Sequence, residues 1–144
     1  MRRRVLPRAQ RRLFKATNSL HWQRRQPPQA EGVVGAADST VEGWALVRQH
    51  SSSSACWIVV GGRVLDCTRY LGLHPGGATV IERLAGGDAT SAYRAARHSS
   101  AADLKLFDFD IGAINDLPRL RRAAREAAEH RARLESLSQY IDGQ

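Results

Sequence analysis

Long apolar runs are missing from this chain: nothing in its 144 residues approaches the roughly 18 consecutive apolar positions that a membrane-spanning helix needs. Cysteine is nearly absent as well. Two cysteines exclude the densely cross-linked scaffold of a small secreted module. No internal repeat is visible, and the length leaves room for one domain with tails but not for two full domains. Acidic residues are missing from the first thirty positions, although 42% hydrophobic and 25% charged residues overall are ordinary for a globular protein.

That last absence locates the charge. Of the formal +8, residues 1–40 carry +7, from nine Lys/Arg and two acids; residues 41–116 carry −1 and residues 117–144 carry +2. A basic chain suggests nucleic-acid binding when the charge lies on the folded body. Here the body is close to neutral, so any nucleic-acid contact is confined to the arm. Within the arm, Ala9, Leu13, Ala16 and Leu20 form an apolar stripe for a helix beginning near Pro7. An Arg-rich, acid-free amphipathic segment has the character of a mitochondrial presequence, and Arg12-Leu13-Phe14 resembles a matrix-processing site with cleavage after Phe14. A retained basic arm that docks on RNA or an acidic protein fits the same residues, and so does plain disorder. Residues 26–40, with Pro-Pro and small residues, read as a linker.

Folded material is expected from Val41. Thr40 is placed to cap a short helix holding Trp44, Leu46 and Val47. After the polar tract Ser51–Ser54, Trp57–Val60 and Val64–Asp66 are β-rich runs split by Gly61-Gly62, a hairpin signal because paired glycines supply the positive φ of a two-residue turn. Cys56 and Cys67 then face each other across the hairpin, and read as small buried apolar residues rather than a disulfide. Phe107–Gly112 alternates apolar and polar residues and reads as a closing strand, while the segment from Leu117 reads as a helix with a thin heptad stripe (Leu120, Ala127, Leu134, Ile141). Helices and strands mix without a βαβ rhythm, so the class is α+β. Three parts follow: the arm and linker 1–40, a domain 41–116 and a C-terminal helix 117–144.

Chemistry concentrates on two histidines, 24 residues apart. His74 precedes Pro75, which pushes it into an extended conformation, and Gly76-Gly77 then allow a sharp reversal. A helix Ala78–Leu84 follows, ended by Gly86-Gly87; Asp88 is placed to cap a second helix, Ala89–Ala96. His98 comes next, and Ser99 or Ser100 caps a third. Two imidazoles on helix-flanking turns can line the two sides of a cleft. A structural zinc site would want four N/S ligands, and the two cysteines have no close pair spacing. A bis-imidazole haem needs only two axial ligands and an apolar cleft, with Tyr70, Val80, Ile81, Tyr93 and Ala96 as its sides. Taken from periodicity alone, each histidine is equally well an ordinary surface or core residue.

The stretch from Trp44 to Ile114, about half of the chain, resembles the cytochrome b5 haem-binding domain. The resemblance rests on the hairpin Trp57–Leu71, His74-Pro75-Gly76-Gly77, Ala85-Gly86-Gly87-Asp88-Ala89-Thr90, His98-Ser99 at the family's spacing, and the closing Phe109–Gly112. It implies one b-type haem whose iron is held by His74 and His98, a bond from Ser99 to a haem propionate, and Tyr70 and Tyr93 flanking the macrocycle. It implies one-electron transfer to or from a redox partner protein, and no enzymatic bond chemistry. Arg97 stands where the family commonly has glycine, and Leu73 where an acid is frequent. The acids of 69–83 are reduced to Glu82, so docking through an acidic rim is not expected. The C-terminal anchor of the microsomal members is replaced by a polar helix. Two functions therefore compete: a mitochondrial haem protein that carries electrons, and a b5-like subunit fixed in a large mitochondrial assembly such as a respiratory complex or a ribosome. A steroid-binding relative fits less well, because such relatives generally lack the paired histidines.

Overall fold

A computed structural model describes residues 36–143, with the side chains of 36 and 37 excepted. The readings of the arm (the presequence helix, the processing site and most of the linker) lie outside the described residues. The first helix, α1, spans Ala36–Gln49. It begins ahead of Thr40, so Thr40 is a helical residue rather than its cap, and residues 36–40 are not linker. Val47 and Trp44 anchor α1 on the core, and its first turn, which opens on Ala36-Ala37 and carries the acidic Asp38, lies ahead of Thr40.

Four antiparallel strands make one sheet in the order β1-β2-β3-β4: Ser51–Ser52, Ala55–Val60, Arg63–Asp66 and Asp110–Ala113. The central hairpin pairs Val60 with Arg63, and Gly61 and Gly62 both have positive φ, 57° and 76°, which suits the twist of the flanking strands. Every residue of β2 is buried, and its pleat divides the interior in two. Cys56, Ile58 and Val60 face one cluster, with Leu65, Cys67, Ile81 and Leu106. Trp57 and Val59 face the other, with Val47, Val64 and Leu120. His50 closes that second core by stacking on Trp57, ring centroids 3.7 Å apart.

The remaining helices are α2 (Ala78–Glu82), α3 (Thr90–Ala95), α4 (Ser100–Phe109) and α5 (Leu117–Asp142). Expectation and structure part at Phe107–Phe109, which finish α4 instead of opening the last strand. Alternation over three residues does not distinguish the two states, and Leu106 and Phe109 lie on the inward face of a helix that Ser99 has already capped. In β4, Asp110 takes a forked ion pair from Arg63, at 2.7–2.9 Å, next to a bulge between Val64 and Leu65. Helix α2 stops at Glu82 and gives way to tight turns through Gly87. On α5, Leu120 is fully buried, but Leu134 and Ile141 are exposed, so the heptad stripe does not continue as a packed seam. No helix among the described residues is long and apolar enough to cross a membrane.

Strand β2 also carries the site. Beyond β1 its free edge takes up the turn after α2: Gly86 N–H donates to Trp57 O at 2.7 Å, Val59 N–H to Gly87 O at 2.9 Å, and Ala89 N–H to Val59 O at 2.7 Å. Helices α2 and α3 are thereby fixed to the same strand.

Candidate functional site

His74 ends a 3-10 turn, Thr68–Leu73, in extended backbone with φ −69° and ψ 122°, as the following proline requires. The chain then reverses, with Gly77 N–H donating to His74 O at 2.9 Å. Inside this reversal the imidazole Nδ1 lies 3.0 Å from Gly77 O. A carbonyl only accepts, so Nδ1 carries the hydrogen and, in the neutral ring, Nε2 keeps its lone pair. Gly76 makes room for the ring, because a Cβ there would come within 2.9 Å of His74 Cε1.

His98 is held in the same manner from another segment. Its Nδ1 donates to Tyr93 O at 3.2 Å, again leaving Nε2 as the lone-pair nitrogen. Tyr93 also stacks on it, centroids 4.2 Å apart and planes 9° from parallel. The Tyr93 hydroxyl donates to Asp103 Oδ1 at 2.7 Å, and burial, together with this bond and the carboxylate charge, pushes the phenol far above its usual range. Across the site Tyr70 meets His74 edge-on at 5.7 Å and rests on Phe109 at 4.7 Å.

Both histidines line one cleft of about 390 Å³. Tyr70, Val80, Ile81, Tyr93 and Ala96 line it too, but Ser99 does not; its Oγ accepts the N–H of Ala102 at 3.3 Å and caps α4. Sequence reasoning missed one whole side. Ala102, Lys105, Leu106 and Phe109 of α4 face the cleft at i, i+3, i+4 and i+7, a helical signal hidden by the strand reading of the residues that follow. Cys67 and Ile58 reach the cleft from the sheet. Both thiols are free; burial raises Cys56 to about 11 and Cys67 to about 12, with Asp66 adding to each.

The residues present fit a large, mostly apolar group able to accept imidazole nitrogen donors. The lining is almost wholly hydrocarbon, both imidazoles are oriented by backbone carbonyls, and the Gly76 position leaves no space to spare behind His74. Among the described residues no cluster of three or more His, Cys, Asp or Glu side chains forms a direct metal site.

Fold and site together define a small α+β cofactor-binding domain. The chain belongs to the cytochrome b5 family: the family model for the cytochrome b5-like heme/steroid binding domain matches residues 43–139, and b-type haem is the cofactor of the family's cytochromes b5. Cytochrome b5 of Gallus gallus is 35% identical over 101 residues, which cover 64% of this chain and 73% of that protein. Cytochrome B5 isoform D of Arabidopsis thaliana is 45% identical over 69 residues, 48% of this chain and 49% of that one. The chain thus spans about half the length of the Arabidopsis relative. A solved structure, cytochrome b558 of Ectothiorhodospira vacuolata, is 32% identical, with 49% of this chain and 91% of that one covered and a TM-score of 0.46.

Proposed function

We propose that this protein is a one-electron carrier that binds b-type haem through His74 and His98 as axial ligands. The observation that carries the reading is the matched pair of second-sphere bonds. Each imidazole gives its Nδ1 hydrogen to a backbone carbonyl, Gly77 O or Tyr93 O, and so offers Nε2 to a metal. Such a bond also makes the ring a better donor and fixes its plane, which keeps rearrangement small when charge changes. When bound, haem supplies a single-electron couple at its iron. The chain's own part is to fill both axial positions, to keep water from the macrocycle faces with Ile81, Leu84 and Leu106, and to hold the two turns on β2. With both positions taken by protein, no place is left for a substrate on the iron, and the protein is a carrier rather than an enzyme.

The test is the visible spectrum of the purified protein, oxidised and dithionite-reduced, beside His74→Ala and His98→Ala. A low-spin Soret band with sharp α and β bands on reduction, lost in either variant, is expected. A colourless protein that takes up no hemin overturns the reading.

A second reading, a b5-like subunit of a larger mitochondrial assembly, draws on α5. Beyond Arg131 none of its side chains is buried, yet Leu134, Leu137, Tyr140 and Ile141 are 52–71% exposed. Co-sedimentation of the native protein with a large particle in mitochondrial extracts supports this reading; a monomer with no mitochondrial fraction removes it.

A further inference from the structure

Among the described residues that line the cleft, Lys105 is the only one of fixed charge. It sits on the inward stripe of α4, between Ala102 and Phe109, where periodicity calls for an apolar residue. An ammonium group among hydrocarbon is costly unless it meets water or an anion. Lys105 is exposed and yet lines the cleft, a placement that suits a long stem on apolar surface with its ammonium in water. Among the described residues no carboxylate pairs with it: the ion pairs there are Arg63–Asp110 and Arg121–Glu42, and neighbouring Asp103 accepts the Tyr93 hydroxyl.

We infer that Lys105 binds a carboxylate of the bound cofactor at the mouth of the cleft. The inference rests on the haem reading above. Protoporphyrin is hydrocarbon over its faces and carries two propionates on a single edge, so an apolar cleft with one ammonium at its margin matches it in both respects. The pairing also selects an orientation, with the propionate edge turned toward α4. Ser99, the other candidate for this role, does not line the cleft; its Oγ accepts the Ala102 N–H, and its own O–H remains a donor.

The experiment compares hemin with hemin dimethyl ester, which lacks the carboxylates, in the full-length protein. The readout is the rate of haem transfer to excess apomyoglobin. With hemin, Lys105→Met is expected to release haem about two- to fivefold faster, the range an exposed ion pair supports, and Lys105→Arg to restore most of the retention. With the ester, native protein and Lys105→Met should release at one rate. Equal rates with hemin overturn the inference. A difference of the same size with the ester also overturns it, because Lys105 then acts through packing. If the native protein gives no low-spin spectrum with either compound, the haem reading itself fails and the inference falls with it; a normal spectrum with release indifferent to residue 105 removes the inference alone.

Discussion

His98 lies flat on Tyr93, planes 9° from parallel and centroids 4.2 Å apart, while its Nδ1 donates to the carbonyl of that same residue. One residue therefore fixes both the plane and the tautomer of the imidazole. Tyr93 is itself held by Asp103 across the α3–α4 turn. Tyr93→Phe keeps the ring and drops only the Asp103 bond. It is expected to lower stability by about 1 kcal/mol in urea unfolding and to leave haem retention almost unchanged. Tyr93→Ala removes the stacked face as well, and haem transfer to apomyoglobin should become about tenfold faster or more. Equal losses in the two variants would assign the effect to the hydroxyl and not to the ring.

Gly76 and Gly77 are adjacent, yet they are required for different reasons. At Gly76 an added Cβ meets the His74 ring at 2.9 Å, with no demand on backbone φ. At Gly77 there is open space, but φ is +89°. Gly76→Ala should thus leave the fold within about 0.5 kcal/mol of native while turning His74 aside and weakening hemin binding by about tenfold or more. With ψ at 153° this backbone lies in a region essentially confined to glycine, so Gly77→Ala should instead cost the fold about 1–3 kcal/mol through backbone strain. Urea unfolding and hemin titration of both variants separate the two effects, and identical profiles would refute the distinction.

Arg97 is the only non-glycine residue with positive φ among the described residues, at 48°. A left-handed backbone costs a side-chain-bearing residue about 1 kcal/mol, which glycine does not incur. Arg97→Gly should raise the unfolding midpoint by a few degrees, about what 0.5–1 kcal/mol gives in a domain of this size. Arg97→Ala retains the Cβ and should give no such increase. A rise in Arg97→Ala equal to that in Arg97→Gly would place the effect in the lost guanidinium charge.

Much of this architecture was legible from short-range signals. Gly61-Gly62 marks the hairpin because a two-residue turn needs two positive φ values, and His74-Pro75-Gly76-Gly77 marks a reversal for similar local reasons. Misreadings fell where local pattern was ambiguous and tertiary packing decided. Phe107–Phe109 alternates like a strand, but Leu106 and Phe109 turn toward the cleft only if α4 continues through them. The start of α1 was hidden similarly, since its anchor residues Trp44 and Val47 lie well inside it and say little about where it begins. Lys105 carries no local signal of its own, and only the helical register of α4 turns it toward the cleft.

Cys56 and Cys67 oppose each other at the end of the hairpin, joined through the Cys67 N–H and Cys56 O at 2.8 Å, and both are free. The two residues are 0% and 3% exposed. Burial is the main cause that lifts them from 9.0 to about 11 and about 12. The folded state therefore holds these protons more tightly than the unfolded chain does. Their contribution to stability is fully present below pH 9 and is lost as pH rises from there through about 11 and 12. Unfolding midpoints measured from pH 8 to 11 should fall with pH, and Cys56→Ala/Cys67→Ala should flatten that decline relative to native protein. The same shifts leave little thiolate at pH 8, so iodoacetamide should label neither cysteine in the folded protein and both in guanidinium chloride. Rapid labelling of the native fold would show that the hairpin end opens far more readily than its packing implies.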